Sequence, residues 1–141
     1  MHNRLRNRHQ NTNPLMWDVD IAAAAQSWAN QLAQSCNLVH NTNDPYGENL
    51  FRGPNSLADA VLGWYEEDVL YYDGRQPDFY MDTGHMTQIA WAGSQRVGCG
   101  KSFCNNNDEI YVCQYFPPGN VDNRFPENVL PLKPGIVPGV Y

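Results

Sequence analysis

The stretch RVGCGKSFCNNNDEIYVCQYF, residues 96–116, decides the fold class. Two runs in it, about Arg96 to Ser102 and Glu109 to Phe116, read as strands, and the link FCNNND between them has hairpin-loop chemistry. The segments with helical spacing lie upstream. The strongest, about residues 19–34, sets Ile21, Ala24 or Ala25, Trp28 and Leu32 at helical intervals. It also carries four consecutive alanines, and Asp18 or Asp20 stands ready to cap its start. A second helix is expected from about Ser56 to Tyr72, with Ser56 as N-cap and Asp59 completing a partial capping box. A short third one covers His85 to Trp91. Helices followed by strands in one small chain argue for an α+β arrangement, not a doubly wound sheet.

The remaining segments fill in around this frame. His2 to about His9 reads as a helical turn or two, stopped by NTNPL. SCNLVH is a short apolar run fit for a strand or an extended link, and NTNDPYG and DGRQPDFYMDTG are loops by composition. From Pro117 onward Pro and Gly dominate without periodicity. Residues 1–141 therefore read as one domain, with 117–141 a Pro/Gly-rich C-terminal tail.

Composition narrows the function classes. The chain has 141 residues, 42 % of them apolar, which is enough for a real core. A net charge of −6 with scattered basic residues argues against nucleic acid as a partner. Arg4, Arg6 and Arg8 form one basic cluster, read here as a solvated helix face. No run approaches the roughly 18 apolar residues of a membrane span, and MHNRLRNRHQ does not read as a secretory leader. The four cysteines, Cys36, Cys99, Cys104 and Cys113, form no CxxC pair. Two disulfides in an oxidising, extracellular compartment are the expectation, with all three pairings open.

Few residues stand out chemically. On the second helix Leu57, Val61, Trp64 and Tyr71 form an apolar stripe; Glu67 flanks it, Glu66 points away, and Asp68 falls nearer its middle. A carboxylate beside an apolar face needs a partner, which favours Glu67 over Glu66. His40, Glu48 and His85 are further candidates, although each alone has a plain structural explanation, as do His2 and His9. There is no HExxH, EF-hand loop, phosphate-cradling glycine loop or GxSxG elbow. Residues alone leave the function open.

A resemblance goes further. GHMTQIAW, residues 84–91, resembles the GH-aromatic-TQ-x-x-W signature of the CAP superfamily, which unites cysteine-rich secretory proteins, antigen 5 and pathogenesis-related class 1 proteins. HNRLR, YGENL and YVCQYFPPGN match three further motifs of that family in the family's order. PYGENL and ENVLP are most similar to its compact single-domain members. The resemblance implies a three-layer α-β-α sandwich and a cavity formed by His40, Glu48, Glu67 and His85. It implies that His40 and His85 hold Zn²⁺ or another divalent cation, and that the disulfides join Cys36 to Cys104 and Cys99 to Cys113. It also implies a secreted protein that binds a sterol or fatty acid, with a defence, virulence or export role. Tyr71, Tyr72, Phe79 and Tyr80 would be the apolar contacts of the lipid-binding loop. Recognition of a cell-surface protein ranks second. Metal-dependent hydrolysis ranks third, because catalytic zinc normally has three protein ligands; no catalytic residue is assigned. Two departures from the family pattern are Met86, which softens a cleft wall where an aromatic is usual, and Gln114, which reads as a minor change.

Overall fold

The computed structural model describes residues 1–69 and 84–141, the side chains of 67–69 excepted. In chain order its elements are α1 (His2–Arg6), β1 (Met16–Trp17), α2 (Val19–Ser35), β2 (Gly47–Gly53), α3 (Leu57–Val69), α4 (Gly84–Ile89), β3 (Arg96–Phe103), β4 (Glu109–Phe116) and α5 (Phe125–Asn128). The sheet runs β1-β3-β4-β2, with β1 parallel to β3 and both other pairings antiparallel.

Helix α2 begins where Asp18 Oδ1 accepts hydrogen bonds from the amides of Asp20 (2.9 Å) and Ile21 (3.1 Å). It ends at Cys36, whose positive φ of 59° stops the helix. Ile21, Ala25, Ala29 and Leu32 form its buried stripe. The alanines let it come very close to β3. A Cβ added to Gly98 would lie 2.1 Å from the Ala22 nitrogen, and one on Gly100 would lie 2.3 Å from Gln26 Cα. Helix α3 carries the expected box at its start: the Asp59 amide donates to Ser56 Oγ, and the Ser56 amide donates to Asp59 Oδ2, each at 3.2 Å.

Two apolar layers follow from strand alternation. Leu50, Ile110 and Val112 pack under α2 with Ala25, Ala29 and Leu32. Val97, Cys113 and Tyr115 point the other way, toward Leu5 of α1, Val61 and Trp64 of α3, and Met86 and Ile89 of α4. The result is an α+β sandwich with the sheet as its middle layer. Cys36 is joined to Cys104, tying the end of α2 to the β3–β4 turn. Cys99 is joined to Cys113, directly opposite it across the hairpin.

The structure adds strands β1 and β2 and helix α5 to the sequence reading, and it corrects the reading of Arg6. Strand β2 was not foreseen; it pairs with β4 from Gly47↔Tyr115 to Gly53↔Glu109. SCNLVH takes the second of its two expected forms, a link rather than a strand, with Leu38 and Val39 exposed. Residues 117–141 fold back onto the body: Phe125 and Val129 are buried with Trp91, and Arg8 donates to the carbonyls of Val137 and Val140. Arg6 is no solvated face residue, being fully buried. It donates to the carbonyls of Asn13 (2.7 Å), Ile89 (2.9 Å), Trp91 (2.8 Å) and Ser94 (3.2 Å).

Candidate functional site

The six-residue helix α4 is too short to persist by itself, so its position depends on what holds it. Three remote segments do. At its start Asn120 donates to the Gly84 carbonyl (2.8 Å) and accepts from Thr87 Oγ1 (2.6 Å). At its middle the buried Gln88 accepts from the Gly119 amide (3.0 Å) and lies over Gly47, where a Cβ would fall 2.0 Å from Gln88 Oε1. At its end the Arg6 guanidinium gathers the orphan carbonyls of the last turn, a cation at the negative end of a helix. Asn49 of β2 adds a bond from its amide nitrogen to the His85 carbonyl (3.1 Å). The segments HNRLR, GEN and PPGN thus all anchor the segment that carries His85.

The half-buried ring of His85 stacks on the indole of Trp64, with centroids 6.2 Å apart and planes at 21°. Trp64 is itself fixed by a bond from Nε1 to the Leu50 carbonyl (2.8 Å). His40 sits in the loop before β2, and its Nδ1 lies 2.8 Å from Glu48 Oε1. Glu48 is buried by this arrangement (4 % exposed), whereas His40 is 63 % exposed. Glu48 Oε1 also accepts from the Asn41 amide (3.0 Å), and Oε2 accepts from Gln114 Nε2 (2.9 Å). The same Gln114 nitrogen donates to Asp44 Oδ2 (2.8 Å). Gln114 is therefore no minor change: fully buried, it bridges two carboxylates.

A carboxylate only accepts, so His40 Nδ1 carries the proton and neutral His40 presents its lone pair at Nε2. A ring nitrogen held by a carboxylate is the usual support of a metal-binding histidine. His40 fits a divalent cation, and Glu48 fits the role of the group that orients it rather than of a ligand. Glu67 lies on α3 with its side chain outside the described set. Among the described residues no three His, Cys, Asp or Glu groups converge as a metal-binding cluster. Tyr71, Tyr72, Phe79 and Tyr80 fall outside the described residues.

The hydrogen bond to Glu48, reinforced by that group's charge, raises the His40 pKa above the ordinary 6.5 against an opposing desolvation. Burial raises that of Asp44, with the Glu48 charge adding to it. The stability His40 contributes is therefore full below about pH 6.5 and fades as pH rises through its raised folded value. A cation taking Nε2 would have to displace a proton from the charged ring, so its affinity would rise over that same range. In Glu48→Gln protein the His40 C2-proton titration in NMR is expected to move to lower pH. An unmoved titration would refute the coupling.

His2 and His9 are structural. Burial holds His2 at about 3, hence neutral, with Nε2 2.7 Å from the Tyr115 hydroxyl. His9 donates from Nδ1 to the Leu130 carbonyl (2.7 Å) and accepts at Nε2 from Tyr65 (2.8 Å).

A second feature, an apolar cavity of about 540 Å³, lies between α1, β1, α3 and β3. His2, Leu15, Trp17, Leu57, Val61 and Val97 line it. The only trace in the sequence is that Leu57 and Val61 share the apolar stripe of α3.

Comparison with known proteins adds four findings. The pattern of the Cysteine-rich secretory protein family, CAP, matches residues 1–115. Protein PRY2 of Saccharomyces cerevisiae is 39 % identical over 132 residues, covering 93 % of this chain and 39 % of that protein. Pathogenesis-related protein 1C of Nicotiana tabacum is 44 % identical over 117 residues, covering 80 % of this chain and 69 % of that one. The chain thus spans about two fifths of the yeast relative. Among solved structures, NaASP2 with Zn²⁺ superimposes with a TM-score of 0.74 at 21 % identity, over 94 % of this chain and 82 % of the other, a likeness of fold.

Proposed function

This chain belongs to the Cysteine-rich secretory protein (CAP) family, and from that premise we propose that it is a secreted protein that binds an apolar ligand, a fatty acid or a sterol. The observation that carries the reading is the cavity of about 540 Å³. Its size falls within the range of roughly 300–1,000 Å³ common for small-molecule sites, and apolar walls with a few polar groups are the usual lining of such sites. Here the polar groups are His2 and Asn3, both at the α1 end. Two disulfides support passage through an oxidising compartment.

Palmitate is expected to saturate the pure protein in the micromolar range, read by displacement of a fluorescent fatty acid. Ala58 lines the cavity yet is exposed, so Ala58→Phe narrows the opening without disturbing the core. That variant should weaken palmitate by tenfold or more. Cholesterol, measured in parallel, tests the aromatic loop through Tyr72→Ser and Phe79→Ser. No saturable binding of either lipid would end the reading.

The His40–Glu48 pair favours a second component, a divalent cation such as Zn²⁺ held by His40 Nε2 and the His85 ring. Such an ion supplies a positive charge able to polarise or anchor an oxygen-bearing group. The protein's part is orientation: Glu48 fixes the His40 ring, and Trp64 fixes the plane of His85.

A further inference from the structure

Three apolar side chains around the edge of the sheet, one of them at the cavity, are left in water. Met16 and Val19 are each 73 % exposed and Trp17 is 58 % exposed, around the two-residue edge strand β1. Trp17 belongs to both features, because it is exposed on the outside and lines the cavity with Leu15. Exposed apolar surface joined to an apolar cavity calls for an occupant that covers both.

Strand addition by a peptide or a second copy has little to build on, since β1 offers two residues of edge. The charges at this edge are largely settled within the protein. Arg96 lies 3.1 Å from Asp18 Oδ2, while the other Asp18 oxygen caps α2. A chain of net charge −6 gains nothing from an anionic surface. Tryptophan and methionine are suited to the boundary of a bilayer, one by its amphipathic ring and the other by its pliable chain.

We propose that Met16, Trp17 and Val19 dock the protein on a neutral lipid surface, so that the ligand passes between that surface and the cavity without crossing water. The proposal rests on the cavity reading for the ligand, and on the exposed residues alone for the docking.

Phosphatidylcholine vesicles test it. The protein should co-float with them, and brominated phosphatidylcholine should quench emission that is missing from Trp17→Phe protein, in which the half-buried Trp28 and the buried Trp64 and Trp91 remain. Met16→Ser combined with Val19→Ser alters no residue that lines the cavity. It should lower vesicle partitioning tenfold or more while leaving palmitate affinity in vesicle-free solution within twofold. Partitioning equal to that of the unaltered protein, or no partitioning by either, overturns the docking surface. A preference for phosphatidylserine vesicles also overturns it. So does a dimer in ultracentrifugation that the double variant dissolves without any vesicle binding, because the occupant is then a second copy. Palmitate that fails to bind in solution while partitioning persists supports the docking surface and sinks the cavity reading instead.

Discussion

Replacing Arg6 with alanine is expected to cost roughly 3–5 kcal/mol of folding stability, the range seen when a buried charged network loses one partner. The guanidinium is fully buried, and burial lowers its pKa to about 10, so it stays protonated at neutral pH. Its four hydrogen bonds all go to backbone carbonyls, from Asn13 to Ser94. Alanine leaves those acceptors buried without a donor and opens a void the size of the side chain. Arg6→Lys keeps the charge but not the planar fork, so it should recover only part of the loss. Urea unfolding at pH 7 measures both variants. A loss under about 1 kcal/mol for Arg6→Ala would show that water replaces the guanidinium at little cost.

The second large effect is expected at Gly98. Valine there drives its Cβ into the α2 backbone, 2.1 Å from the Ala22 nitrogen and 2.5 Å from the Ile21 carbonyl carbon. No rotamer relieves a clash that begins at Cβ, so α2 must shift as a body off the Leu50, Ile110 and Val112 layer. Overpacking usually costs about 1–3 kcal/mol; with rigid backbone as the obstacle, we expect about 3 kcal/mol or more. Gly63 is the control. It lies inside α3 with nothing within 4 Å of an added Cβ, so Gly63→Ala should stabilise by roughly 0.5–1 kcal/mol. Urea midpoints that move the same way for both variants would refute the close-approach explanation.

Local signals account for the parts of the fold that were legible. Helix α2 announced itself through its cap and apolar spacing, and the β3–β4 hairpin through its Asn-rich turn. Strand β2 did not, because GENLFRG has glycine at both ends and Glu48, Asn49 and Arg52 among its residues. Its strand character comes from pairing with β4, some 60 residues away. Arg6 was misread for a related reason: backbone carbonyls are its partners, and a carbonyl leaves no mark in a sequence. The candidate site was legible only by resemblance. Spacing has no means of bringing His40 to Glu48, and the bridging of Asp44 and Glu48 by Gln114 depends on a face of β4 that alternation alone left unassigned. The cavity lay hidden because its walls come from four elements, none of which is unusual alone.

The anchoring of α4 also has a consequence for how the protein is made. Arg6 precedes α4 in the chain by some 80 residues, and Asn120 comes some 35 residues after His85. The segment bearing His85 leaves the ribosome with its rear clamp already made and its front clamp not yet translated. A chain cut just before Asn120 would contain His40, Glu48 and His85 and still leave the Gly84 carbonyl and Thr87 without the side chain that fixes them. The site therefore closes only after Asn120 has been translated, and its completion reports that segments from Arg6 to Asn120 have come together.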